Sequence, residues 1–236
     1  MDIGSVLSRA WDLATPSTPP DQGWWSFAAL LVALAAVVAP PIWRLARLAV
    51  TIVHELGHAG VGILMGRRFT GFVVSPDMSG HAITVGRSQG IGRVASAWAG
   101  YPMPALLGAL LIQVAFGGWA STALAVALVL LILSLVFSRS LHTVTTVLAT
   151  AVIIALVWWF GGPLGAAALV LGGGVLLLLG AWRHLGAVMR SGRRQDDPQQ
   201  LAQLTGVPAW AWIGTYLLVL ALCSWWAAAV LLRALG

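Results

Sequence analysis

Seven long apolar stretches constrain the fold of this chain more than any other feature. A transmembrane α-helix needs about 20 mainly apolar residues to cross the hydrocarbon core of a bilayer. Stretches close to that length occur at 24–43, 46–66, 93–115, 119–137, 143–160, 163–182 and 208–232. The sequence therefore predicts an all-α polytopic membrane protein. It has about six to seven transmembrane helices, the lower number applying if the closely spaced fifth and sixth stretches form a re-entrant pair.

The charged residues support a membrane location and argue against a nucleic-acid partner. Only 8% of the residues are charged, whereas soluble domains have roughly a quarter. All thirteen positive residues are arginines, and arginines that flank apolar stretches favour cytoplasmic loops.

With seven spans, ten arginines share the side of the N-terminus and three lie on the other side. We therefore expect a protein of the lipid bilayer with a cytoplasmic N-terminus. The asparagine-free composition suggests a bacterial cell membrane.

The chain divides into a short polar N-terminal segment and one membrane domain. Residues 1–23 are rich in Ser, Thr and Pro and lack the basic and apolar regions of a secretory signal, so we expect this cytoplasmic segment to be retained. Residues 24–236 show no repeat and form a single membrane-embedded domain. Within it, residues 69–90 have the pattern of two short strands around a turn, which predicts a β-hairpin between the second and third helices. Residues 186–206 form a polar loop.

The second apolar stretch contains the motif His54-Glu55-Leu56-Gly57-His58. Histidines four residues apart lie on one face of a helix, where both imidazoles can bind one tetrahedral zinc ion. Glu55 then stands beside the metal, where it can act as general base on the attacking water. Ionisable residues inside a membrane span are costly unless they are paired or functional. The motif therefore predicts a zinc metalloendopeptidase site, with Glu55 as its catalytic residue.

A catalytic zinc usually has a third protein ligand and one open position. Glu55 is the only glutamate in the chain, so a second glutamate cannot be that ligand. The longer metzincin motif is also excluded, because Val61 and Leu64 stand where it needs Gly and His. The residues that remain open as the third ligand are Asp77, His81, His142, His184, Asp196, Asp197 and Cys223.

Several segments together resemble the site-2 protease family of intramembrane zinc metalloproteases, and specifically its small bacterial branch without a PDZ domain. They are the HELGH motif, the hairpin loop, Gly-Tyr-Pro-Met-Pro at 100–104 and Asp-Asp-Pro-Gln-Gln-Leu-Ala-Gln-Leu-Thr-Gly at 196–206. The resemblance implies that Asp197 is the third zinc ligand, with Asp196 and His81 as alternatives. It also implies regulated intramembrane proteolysis of a transmembrane protein substrate, such as an anti-sigma factor.

The resemblance has one gap, because relatives carry an asparagine that helps to hold the substrate and this chain has no asparagine. Tyr101 is a candidate replacement. A transmembrane substrate must unwind before hydrolysis, and the hairpin can satisfy its backbone by pairing with it as an added strand. We therefore expect Ile83 and Val85 to contact the substrate.

Two other functions are compatible with the same motif. One is a non-catalytic metal-binding membrane scaffold, and the other is a metal or proton transporter.

Overall fold

A computed structural model describes residues 2–21, 23–75, 80–191 and 196–236. Within these ranges the chain forms ten helices and one two-stranded sheet. In chain order the elements are α1 (Ile3–Ala14), α2 (Trp24–Val38), α3 (Pro40–Leu64), β1 (Arg68–Val74), β2 (Gly80–Val85), α4 (Ile91–Trp98), α5 (Pro102–Phe116), α6 (Ala120–Leu135), α7 (Leu141–Phe160), α8 (Gly162–Ser191), α9 (Asp197–Thr205) and α10 (Ala209–Leu235).

Two of the predicted apolar stretches, 24–43 and 93–115, each contain a sharp bend. Helices α2 and α3 meet at an angle of 101° around Ala39, and α4 and α5 meet at 58°. Both α3 and α5 have a proline in their first turn. Proline is tolerated there and interrupts a helix that runs into it, so each proline favours a new helix at the bend.

The structure supports an integral membrane protein. By length and composition, α7, α8 and α10 can each cross a membrane, and the number rises to five if each bent pair counts as one span. Helix α6 is apolar but has only 16 residues. The total of six to seven spans stays a prediction.

The core lies where α5 packs against α8. A Cβ added to Gly108 would lie 2.6 Å from the carbonyl oxygen of Gly174, and a Cβ on Gly174 would lie 2.8 Å from that of Gly108. Small residues at such positions let two helix backbones approach closely. Helices α2 and α10 pack against the same pair, and the buried cluster includes Ala109, Leu171 and Leu220. The scaffold that positions the site is therefore closely packed at its centre.

The predicted hairpin is present. Strand β1 pairs with β2 in antiparallel register, with Phe72 opposite Ala82. On the outer edge of β1, the Phe72 N–H donates to the carbonyl of Phe137, and the Arg139 N–H donates to the carbonyl of Phe72. The outer edge of β2 pairs with no further strand in the described part of the chain. The hairpin therefore has one closed edge and one open edge, that of β2, on which the Thr84 carbonyl accepts from the Arg67 guanidinium.

The N-terminal segment and the HELGH motif lie at opposite ends of the bundle. Near the start of α8, the Arg9 guanidinium donates to the carbonyl of Trp159, and Ser17 pairs with Gly118. The motif-bearing α3 instead crosses the far part of α8, where Val50 faces Gly180. These two regions are about 30 Å apart along α8. They are separated because α2 runs towards the motif and α3 then turns sideways.

Candidate metal centre

Two histidines and one aspartate converge at the end of the bundle where α3 lies. The Nε2 atoms of His54 and His58 are 3.1 Å apart, and Asp197 Oδ2 lies 3.2 Å from each of them. Ligands of a tetrahedral zinc at 2.0–2.1 Å are separated by about 3.3 Å. The three atoms therefore form one face of a tetrahedron of the size that zinc requires, and the fourth position is left for a non-protein ligand.

The hydrogen bonds around His58 leave its Nε2 free to bind a metal. His58 Nδ1 lies 2.7 Å from the Ser96 carbonyl oxygen. A carbonyl only accepts, so Nδ1 carries the proton, and in the neutral imidazole Nε2 then has the lone pair that binds a metal. That lone pair faces Asp197 Oδ2, a buried atom for which the described residues supply no hydrogen bond of acceptable geometry. Two electron-rich atoms this close repel each other unless a cation lies between them, so the residues fit a divalent metal ion.

Asp197 is presented by a short helix outside the membrane-spanning segments. It is the first residue of α9, with Pro198 next to it and Asp196 at the N-cap. Burial would raise the pKa of the Asp197 carboxyl, but the adjacent His58 and His54 lower it more, so the pKa lies below its ordinary value. A lowered pKa favours the ionised carboxylate, which is the form that binds a metal. Pro198 and Leu201 are buried and hold α9 in place.

The other candidate ligands do not join this group of three atoms in the described structure. Asp196 is the N-cap neighbour of Asp197 and His81 lies in β2, but neither belongs to the group. Asp77 lies outside the described residues. His184 approaches more closely than the sequence suggested, because its ring centroid lies 6.0 Å from that of His54.

Glu55 points into a cleft beside the converging ligands. The residue is only 3% exposed, and its Oε2 has no hydrogen-bond partner among the described residues. Strand β2 begins directly against it, since a Cβ on Gly80 would lie 2.8 Å from Glu55 Oε1. The cleft has a volume of about 190 Å³ and is lined by His54, Glu55, His58, Gly80, His81, Ala82, Thr84, Arg93, Ser96, Ala97, Asp197 and Gln200. A carboxylate without a partner beside a metal centre is free to accept a proton from water.

The turn between α4 and α5 passes directly against both histidines. A Cβ on Gly100 would lie 2.7 Å from His54 Cε1 and closer still to His58 Nε2. Any side chain at this position would therefore displace the imidazoles. The contact of Gly100 with the histidines was missed because only the Gly-Tyr-Pro break was visible in the sequence.

The proposed substrate-binding residues have different environments. Tyr101 is 9% exposed and does not line the cleft; its ring lies 4.8 Å from the His54 ring and 5.1 Å from that of Tyr216. Ile83 and Val85 are 39% and 54% exposed, and they alternate along β2 with Ala82 and Thr84, which do line the cleft. The cleft is therefore bordered by the other face of β2.

The fold and the site define a class of protein, namely a helical membrane protein with a metallopeptidase-type His/His/Asp centre and an adjacent glutamate. Over residues 27–228 the sequence matches the family described as Peptidase M50B-like. The chain belongs to this family and is thereby a member of the site-2 protease family of metallopeptidases. No curated protein and no solved structure matches the chain.

Proposed function

We propose that this protein is an intramembrane zinc endopeptidase that hydrolyses a peptide bond in or near a transmembrane segment of another membrane protein. The observation that carries the proposal is the position of Glu55, which shares one cleft with a three-atom ligand face. Zinc is the metal we propose, because the 3.1–3.2 Å spacings fit its tetrahedral geometry.

Each residue of the centre has a separate task in this mechanism. His54, His58 and Asp197 would hold the zinc ion, which, when bound, polarises the substrate carbonyl and acidifies water. Glu55 takes the proton of the attacking water and passes it to the leaving amine. The Ser96 carbonyl fixes the His58 tautomer through Nδ1. The chain itself thus supplies the proton transfer and the positioning.

The open edge of β2 is suited to binding an unwound substrate. Because the N–H and C=O of Phe72 pair with residues 137 and 139, its opposite partner Ala82 directs its own N–H and C=O to the open edge. Ala82 also lines the cleft. A substrate strand that pairs with Ala82 would have its backbone satisfied while one of its carbonyls reaches the metal centre. In that arrangement Ile83 and Val85 would flank the substrate, and Tyr101 would support His54 from behind.

The distribution of arginines favours a cytoplasmic location for the site. Of the thirteen arginines, two lie outside the described residues and eleven remain. Arg9 and Arg233 lie at the end of the bundle that carries α1 and the C-terminus. The nine at the end that carries the metal centre are Arg44, Arg47, Arg67, Arg68, Arg87, Arg93, Arg139, Arg183 and Arg190. The positive-inside rule then supports a cytoplasmic metal centre and an external N-terminus, in place of the cytoplasmic N-terminus inferred from seven spans.

A bacterial anti-sigma factor, cut first by another protease, is the kind of substrate we propose. The decisive variant is Glu55→Gln, studied with wild type in lipid nanodiscs containing a transmembrane test substrate. We expect stoichiometric zinc in both proteins and a loss of kcat on the order of 10²- to 10⁴-fold in the variant. Zinc without cleavage in wild type would indicate a metal-binding scaffold. Zinc flux across sealed vesicles without cleavage would indicate a transporter.

A further inference from the structure

The cleft beside the metal ligands contains a side-chain amide, that of Gln200, which is not itself a metal ligand. Gln200 lies three residues after Asp197 on α9, and residues with this spacing lie on one face of a helix, about 5–6 Å apart at Cβ. Both residues line the cleft together with Glu55 and His58. The Gln200 side chain is therefore within reach of a group that is held between Glu55 and the metal ligands.

The orientation of this amide is set by an arginine on a different helix. Arg93 of α4 donates from Nη2 to Gln200 Oε1 at 3.1 Å. A guanidinium has donors and no acceptor, so the amide oxygen must face Arg93 and the NH2 group must point elsewhere. Both residues are partly buried, which limits the competition from water. The contact thus leaves an oriented pair of N–H donors at Gln200.

We propose that the Gln200 amide donates a hydrogen bond to the oxygen of the scissile carbonyl, and that Arg93 is the positioning residue that orients the amide. This inference rests on the proposed endopeptidase function. During attack by water the carbonyl oxygen gains negative charge, and a donor that is already oriented stabilises that charge without reorganisation. Gln200 supplies such a donor from the helix that also carries Asp197, so one rigid element places both groups.

The test uses the full-length protein in nanodiscs with a transmembrane test substrate. Gln200→Met keeps the length of the side chain and removes the donors, whereas Gln200→Glu keeps an oxygen for Arg93 and removes the NH2 group. The matched control is Gln203→Met, since Gln203 is exposed on the same helix. Zinc content, kcat and KM are measured for each protein.

We expect both Gln200 variants to lose kcat on the order of 10²-fold, with zinc content and KM within about twofold of wild type. Gln203→Met should match wild type. Arg93→Met should lower kcat by about tenfold, and Arg93→Lys should recover part of that loss, because lysine can still donate to the amide oxygen.

Two results would overturn the role of Gln200 alone. One is a wild-type kcat in the Gln200 variants. The other is a loss of zinc in Gln200→Met, which would mean that Gln200 only stabilises the position of α9. If wild type itself binds no zinc or cleaves nothing, the endopeptidase proposal fails, and the role of Gln200 fails with it.

Discussion

Ser96 and His58 are joined by two hydrogen bonds that run in opposite directions. His58 donates from Nδ1 to the Ser96 carbonyl at 2.7 Å, and the Ser96 hydroxyl donates to the His58 carbonyl at 2.9 Å. The pair fixes both the backbone and the ring of His58 relative to α4. Since α4 leads directly into the turn at Gly100, this turn is also held against the metal ligands. The geometry of the centre therefore depends on α4 as much as on α3.

The first prediction concerns the space at Gly100. Gly100→Ala should reduce zinc affinity on the order of 100-fold, because the added methyl group would displace the imidazoles of His54 and His58. Gly60→Ala is the matched control, since Gly60 lies on α3 and a Cβ there has no neighbour within 4 Å. Zinc titration against a competing chelator measures both variants. Equal affinity in Gly100→Ala and Gly60→Ala would contradict the close approach of the turn.

The second prediction distinguishes the two adjacent aspartates. Asp197→Asn should weaken zinc binding on the order of 100-fold or more, because it removes the charge from the atom that faces both histidines. Asp196→Asn should keep wild-type affinity, because Asp196 does not belong to the group of three converging ligands. Metal analysis after dialysis at fixed free zinc gives the comparison. Stronger loss in Asp196→Asn would make Asp196 the third ligand.

Local patterns in the sequence predicted the parts of the site that depend on neighbouring residues. The four-residue spacing placed His54 and His58 on one face of a helix, and the strand pattern predicted the hairpin. Asp197 was reached by resemblance, because nothing local links a residue of α9 to a helix more than a hundred residues earlier.

Contacts between distant elements could not be read from the sequence. The positions of Gly100 and Ser96 against His58 arise from the way α4 packs on α3, and glycine and serine have no sequence pattern that marks such contacts. The 101° bend at Ala39 was also not predicted from the sequence. Two apolar stretches in succession predicted two antiparallel spans, whereas the prolines that open α3 allow the second helix to turn sideways.

The third prediction concerns the open edge of β2. Ala82→Pro removes the outward N–H but leaves the pairing with β1, because proline is tolerated on an edge strand when its N–H would face outwards. We expect normal zinc content and a substrate KM raised by about tenfold, the effect of losing roughly 1.4 kcal/mol of backbone pairing. Ala82→Ser keeps the N–H and should behave like wild type. An unchanged KM in Ala82→Pro would exclude substrate pairing at this edge.

The fourth prediction tests the orientation of the protein in the membrane. Single cysteines are placed at Ser8 on α1 and at Ser88 after β2, both exposed, in a Cys223→Ser background, which removes the only native cysteine. If the metal centre faces the cytoplasm, a membrane-impermeant maleimide should label Ser8→Cys in intact cells and Ser88→Cys only after the cells are permeabilised. The two sites must differ, because α1 and the hairpin lie at opposite ends of the bundle. The reverse pattern would place the metal centre outside the cell, and labelling of both sites in intact cells would contradict the arrangement of α2 and α3 as one crossing followed by a sideways turn.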